Sequence, residues 1–219
     1  LSPDRVALYG YAHVPWMARR QQLIPSDALP TPEERLALFD TARRLFLWDG
    51  YDEIGIDHFA RPMDGLAIAA REGRLRRNFQ GYTDDVAPVL VGLGASSISR
   101  FPQGYAQMNA STSGWAKAVQ AGEFATARGH AFKGEDLLRG RVIEALMCDF
   151  RLRNDELIRD FGATPASLRT LYAPVVARFA PFLQETAEGL SIPHEGRPLT
   201  RMIAAAFDSY ALAKHSAAI

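Results

Sequence analysis

Gly50-Tyr51-Asp52-Glu53-Ile54-Gly55-Ile56-Asp57-His58-Phe59-Ala60-Arg61-Pro62 decides how the fold is read. Gly50 stops a helix, and Asp52 to Ile56 reads as a strand that runs straight into the polar Asp57-His58 pair. The helix before it carries full start signals. Thr31 is the N-cap, Pro32 takes the first helical position, Glu34 closes a capping box, and Leu36, Phe39, Ala42, Leu45 and Phe46 share one face. Further upstream, beyond a loop marked by Pro15, Pro25 and Pro30, Arg5 to Tyr11 holds the apolar run Val6-Ala7-Leu8-Tyr9 of a strand buried on both faces, and ends in Tyr11-Ala12-His13. The order is strand, helix, strand.

Downstream, a short helix over Gly65 to Arg71 leads to Asn78-Phe79-Gln80-Gly81-Tyr82-Thr83. Val89-Leu90-Val91-Gly92-Leu93 reads as a third strand, ending at Gly94-Ala95-Ser96-Ser97. Three apolar strands separated by helix-length segments predict an α/β fold with a parallel sheet whose sites gather at the strands' carboxyl ends. Three strands cannot close a barrel. The expectation is part of a larger sheet, whose exposed edge seeks another copy of the chain or a displaced segment. Leu1-Ser2-Pro3-Asp4 has neither an initiator Met nor a secretory-signal layout, and reads as a cut point within a longer chain.

From Glu135 helix formers take over, with Leu138, Val142, Ala145 and Leu146 at helical spacing. Asn154 caps a short helix ending at Phe161-Gly162, and Thr164-Pro165 opens another carrying Leu168, Leu171, Tyr172 and Val175. An apolar strand, Leu190-Ser191-Ile192, precedes a Pro/Gly-rich hairpin. A last helix, Leu199 to Lys214, turns Met202, Ile203, Ala206, Phe207 and Tyr210 inward. Two domains are expected, 1–133 and a mainly helical, winged-helix-like 134–219.

Composition narrows the function classes. Of 219 residues 47% are hydrophobic, and 25 Lys plus Arg balance 25 Asp plus Glu, so no global field draws the chain to nucleic acid or anionic membrane. The greasiest stretch, Leu36 to Trp48, is broken by Asp40, Arg43 and Arg44, too polar for a membrane span. A single cysteine, Cys148, excludes an internal disulfide and any site needing several thiolates from this chain, and points to a reducing, cytoplasmic compartment.

Four constellations invite chemistry. Gly92-Leu93-Gly94 with Ser97 in place of a third glycine is an incomplete dinucleotide fingerprint; it reads either as tight packing at a strand end or as room for a ligand's adenine or ribose beside Ile98. Asp57-His58 reads as a carboxylate orienting an imidazole or as a structural pair, with His13 in the same position on the first strand. Arg71, Arg74, Arg76 and Arg77 form the densest basic cluster, either a solvated surface or a guanidinium clamp for a polycarboxylate. The helix-turn-helix spacing suggests nucleic acid, yet its second helix offers only Arg169 and Arg178, which favours a packing lid.

Tyr11-Ala12-His13-Val14-Pro15, Gly55 to Pro62, Arg77 to Thr83 and Gly92 to Ser99, in that order, resemble the C-terminal half of the oxygen-independent coproporphyrinogen III oxidases, radical S-adenosylmethionine enzymes of haem biosynthesis. The resemblance implies an incomplete TIM-like barrel and an activity that oxidatively decarboxylates two propionates of coproporphyrinogen III to vinyl groups, giving protoporphyrinogen IX. It also implies an N-terminal Cys-x3-Cys-x2-Cys loop holding a four-iron–four-sulfur cluster. This chain has no such loop, so by itself it is expected to be inactive and to hold no metal. By the same resemblance Ile98 lies against the S-adenosylmethionine bound to the cluster, Ala12 against a second one, and Phe79 and Gln80 line the same cavity; no catalytic residue is assigned. The arginine cluster suits the tetracarboxylate substrate, with neither nucleic acid nor membrane as a partner. Two alternatives are a haem chaperone of the same superfamily and a helix-turn-helix regulator. The chaperones typically read Ser-Asn-Phe or Ser-Asn-Tyr where this chain has Asp57-His58-Phe59, which favours the oxidases.

Overall fold

The computed structural model describes residues 2–16 and 18–210. Strand β1 (Arg5–Ala7), helix α1 (Pro32–Trp48) and strand β2 (Asp52–Ile54) follow in the predicted order. The α1 start is as read: Thr31 Oγ1 accepts from the Glu34 N–H at 3.2 Å, and Glu34 Oε2 accepts from the Thr31 N–H at 2.8 Å. The helix nevertheless lies on the surface, with Leu36 and Leu45 more than half exposed; Phe46 anchors it by packing on Phe59 and Tyr51.

The expected parallel sheet is replaced by antiparallel pairing. Gly55 takes φ +56, the chain turns, and strand β3 (His58–Ala60) folds back on β2 with Ile54 opposite His58. β3 then lies between β1 and β2, antiparallel to both. β1 and β2 therefore run the same way without pairing. The strands expected over Arg5–Tyr11 and Asp52–Ile56 stop at Ala7 and Ile54. The cause is the Gly55 turn, which ends β2 and leaves β1 with a partner only as far as His58; the last tie is Leu8 N–H to the Asp57 carbonyl at 2.8 Å.

Helix α2 (Gly65–Arg71), capped by Asp64, has the predicted bounds. Strand β4 (Arg76–Arg77) pairs with β5 (Tyr82–Thr83) in a ribbon whose tip is residues 78–81. The strand expected over Val89–Leu93 forms only a single bridge, Leu90 to Arg100, and Val91 and Leu93 are exposed. Its backbone leaves the ladder because the Gly92 N–H goes to Ser99 Oγ at 3.0 Å and Gly94 turns the chain at φ +104. A sheet the sequence reading missed follows: β6 (Ile98–Phe101), β7 (Gly104–Met108) and β8 (Thr126–Ala131), with helix α3 (Thr112–Gln120) between β7 and β8. Pro102-Gln103 ahead of Gly104 was a hairpin signal.

Helix α4 (Asp136–Asp149), strand β9 (Arg151–Arg153), helices α5 (Asn154–Phe161) and α6 (Pro165–Phe179), strands β10 (Gln184–Glu185) and β11 (Gly189–Ser191) and helix α7 (Thr200–Ala205) complete the order. The strands form one antiparallel sheet, β10-β11-β9, against the helices. Asn154 does not cap α5; its Oδ1 accepts from the Tyr172 hydroxyl at 3.0 Å. The last helix is shorter than expected, with Met202 and Tyr210 exposed while Ile203 and Phe207 are buried; the portion of that expectation from residue 211 onward lies outside the described residues.

Two apolar clusters organise the chain. The larger joins Val142, Leu146, Leu157, Tyr172, Leu190 and Phe207; the smaller joins Ile54, Leu66, Leu75 and Tyr82. α4 serves both, because its Cys148 belongs to the smaller one. No helix among the described residues is long and apolar enough to cross a membrane.

Candidate functional site

Three motifs meet beside the end of α4. The Tyr82 hydroxyl accepts from the Ile56 N–H at 3.0 Å and donates to the Met147 carbonyl at 2.7 Å, tying the β2–β3 turn, the β4–β5 ribbon and α4 together. Gly55 makes this possible, since a Cβ there would overlap the Tyr82 ring and hydroxyl. Burial pushes the Tyr82 phenol well above its ordinary range and the Cys148 thiol up to about 12, so both stay protonated.

Asp57 is 4% exposed and lies between His58 and Arg201. Its Oδ1 lies 2.6 Å from His58 Nδ1, and its Oδ2 accepts from Arg201 of α7. Burial alone would raise this carboxyl. The His58 hydrogen bond and the charges of His58, Arg201 and Arg77 outweigh burial and hold it below the usual carboxylate range. An ionised Asp57 accepts the Nδ1 proton and so fixes the His58 tautomer, turning Nε2 away toward Gly81. The ring is held edge-on by Tyr82 at 5.0 Å and Tyr9 at 5.9 Å. Arg77 lies 4.9 Å over the Tyr82 ring, and its Nη1 is buried without a hydrogen-bond partner among the described residues. Arg201 stands 144 residues from Asp57, and no sequence signal singled it out.

The structure brings some of the cofactor residues implied by resemblance together. Gln107, opposite Ile98, and Tyr105, opposite Arg100, alternate on β7 and so share one face of the β6–β7–β8 sheet with Ile98. Phe79, on the ribbon tip, sets its ring edge-on against Tyr105 at 5.0 Å, which lays it over that face. Gln80 is beside it, its N–H donating to Asn78 Oδ1 at 2.8 Å. Ala12 is elsewhere, five residues past the end of β1, in a loop tied by the Gln21 side chain to the Ala12 carbonyl at 3.0 Å. His13 is in the same loop, between Tyr11 and Ser26. The close approach at Gly92 is to protein: a Cβ there would come within 2.8 Å of the Ile98 carbonyl.

The four arginines do not share one environment. Arg71 donates to Asp52 at 2.7 Å and Arg74 pairs with Glu72, both at the surface. Arg76 and Arg77 have no ion pair among the described residues and sit at consecutive positions of β4, on opposite faces. Nothing among the described residues groups three potential metal ligands. We therefore expect that anaerobic reconstitution of this chain with iron and sulfide yields no stoichiometric four-iron cluster, because one buried thiol cannot replace three thiolates. A cluster-type visible band retained by the purified chain would refute this.

No family model matches. The oxygen-independent coproporphyrinogen III oxidase of Paracoccus denitrificans is 65% identical over 221 aligned residues, covering 100% of this chain and 49% of that protein. The chain belongs to the oxygen-independent coproporphyrinogen III oxidase family. The Cereibacter sphaeroides member is 55% identical over 96% of the chain and 47% of its own length. A solved coproporphyrinogen III oxidase from Escherichia coli, described as a radical SAM enzyme, superposes with a TM-score of 0.86 at 34% identity, over 96% of this chain and 49% of that one. The chain thus spans about half the length of the family members it matches, and its α/β fold is theirs.

Proposed function

We propose that this chain is the C-terminal half of an enzyme that oxidatively decarboxylates coproporphyrinogen III to protoporphyrinogen IX, and that it supplies one wall of the cavity and a lid. The 65% identity along the whole chain is the observation that carries this reading. Residues 1–133 form the wall and the mainly helical 134–219 the lid, with α4 joining the two. The edge strands β1 and β2 would pair with the remaining half of the enzyme or, in its absence, with a second copy.

S-adenosylmethionine, the cofactor implied by radical SAM chemistry, supplies the hydrogen-abstracting radical when bound. The residues present suit its adenosyl part: Ile98 offers apolar surface on the β6–β7–β8 sheet, Phe79 packs against Tyr105 of that sheet from the ribbon tip, and Gln80 follows Phe79 on the tip. They do not fit an iron–sulfur cluster, whose ligands must come from elsewhere. Ala12 is proposed to meet a second cofactor molecule from its own loop, and Arg71, Arg74, Arg76 and Arg77 to attract the substrate's four carboxylates.

Grafting tests the reading directly. The corresponding half of the Paracoccus denitrificans enzyme is replaced by this chain, and anaerobic conversion of coproporphyrinogen III is assayed. A hybrid that assembles its cluster and forms protoporphyrinogen IX supports the proposal; one that assembles it and leaves the substrate unchanged overturns it. In that hybrid, Ile98→Asp should weaken S-adenosylmethionine binding by about 2 kcal/mol, the cost of placing an unpartnered polar group against the ligand. Ala12→Asp should lower the cofactor stoichiometry at saturation. Unchanged affinity and stoichiometry in both variants, by equilibrium dialysis, would make Ile98 and Ala12 packing residues.

A further inference from the structure

We infer that His58 binds a ligand carboxylate through Nε2, with Asp57 and Arg201 behind it as positioning residues. The inference rests on the proposed function for the identity of the ligand, whose propionates supply the carboxylates.

The geometry is that of an imidazole held ready on one side and free on the other. Nδ1 is held by Asp57 Oδ1 at 2.6 Å, and Asp57 is itself fixed through its other oxygen by Arg201. Two aromatic edges, Tyr82 and Tyr9, prevent the ring from turning. Nε2 has no hydrogen-bond partner among the described residues, and it is not among the buried orphaned atoms, so it reaches solvent. Gly81 faces it at φ +143, where a Cβ would stand 3.2 Å from Nε2. Arg77, on the other strand of the ribbon, adds a guanidinium with an unsatisfied Nη1.

A purely structural His–Asp pair does not require this arrangement. A structural histidine satisfies both nitrogens, as His13 does with Tyr11 and Ser26. Here Asp57 occupies Nδ1 and leaves Nε2 open, and a protonated ring donates from both nitrogens, to Asp57 and to a ligand carboxylate. The charged and titratable groups around it are Asp57 in the β2–β3 turn, Arg77 on β4, Tyr82 on β5, Cys148 and Glu144 on α4, Arg201 on α7 and Tyr9 after β1, with Glu144 accepting from the Arg77 N–H at 3.2 Å. Arg201 is neutralised by Asp57, and the Arg77 guanidinium, which has no ion pair among the described residues, makes this surface able to accept an anion.

The test uses the 219-residue chain and coproporphyrin III, the stable, fluorescent oxidised porphyrin, against its uncharged tetramethyl ester. The tetracarboxylate should bind about tenfold more tightly than the uncharged ester. His58→Gln should lose about tenfold in affinity for the tetracarboxylate and leave binding of the ester unchanged. Gly81→Ala should weaken binding while the His58 to Asp57 hydrogen bond persists in imidazole NMR spectra. Unfolding midpoints check that both variants fold. In parallel, sodium propionate is titrated while the His58 Nε2 resonance is followed.

Each outcome decides something. Tetracarboxylate binding that is equal in wild type and His58→Gln, with no propionate effect on Nε2, overturns the role of His58 and leaves the proposed function standing. A propionate-induced shift without porphyrin binding supports the carboxylate site and counts against the proposed substrate. If neither ligand is bound, the role of His58 is overturned, and the grafted hybrid decides the proposed function.

Discussion

Gly55→Ala should lower the stability of this chain by about 3 kcal/mol, the sum of a left-handed backbone cost and two lost hydrogen bonds. The φ of +56 at Gly55 penalises any side chain by about 1 kcal/mol. The added Cβ also overlaps the Tyr82 ring, so Tyr82 must withdraw and release the Ile56 N–H and the Met147 carbonyl. Each release costs about 1 kcal/mol. Urea unfolding measures the effect. Tyr82→Phe alone should cost about 2 kcal/mol, and adding it to Gly55→Ala should cost less than the sum, because both act on one contact. Strict additivity would mean that the turn adapts and that Tyr82 does not hold it.

Stability should also fall steeply as pH rises above about 9. In the unfolded chain Cys148 ionises near its ordinary value of 9, whereas in the folded chain burial against Glu144 and Asp149 pushes the thiol up to about 12. A group whose folded pKa is raised contributes stability that is fully present below its unfolded value and is lost as pH climbs to the folded one. Each pH step between those values is worth about 1.4 kcal/mol, so Cys148 alone can account for about 4 kcal/mol. Tyr82 and Tyr172, both raised by burial, add to the loss from about pH 10 upward. Thermal unfolding across this range checks the expectation. Cys148→Ala should delay the onset by removing the earliest-titrating group; an unchanged profile in that variant would show that the thiol is not buried in solution.

Much of the local structure was legible before any coordinates. The α1 cap depends on Thr31, Pro32 and Glu34, within four residues of one another, and the α2 bounds on Asp64 and Arg71. The α4 positions Val142, Ala145 and Leu146 are buried as their spacing implied. The Val89–Leu93 segment misled because apolar content signals burial only where a partner strand accepts its hydrogen bonds, and here Gly92 gives its N–H to a serine. The β6–β7–β8 sheet was passed over because its strands are short and carry no continuous apolar run.

The sequence by itself determined the start of α1, the bounds of α2 and the family, because caps and short motifs act over a few residues of chain. Only the tertiary structure decided strand pairing and who faces whom. Whether β1 and β2 touch depends on β3, which the Gly55 turn inserts between them. Arg201 reaches Asp57 from 144 residues away, and Phe79 reaches the Ile98 face through Tyr105. Such contacts depend on how packed elements close long stretches of chain, and no local pattern encodes that closure.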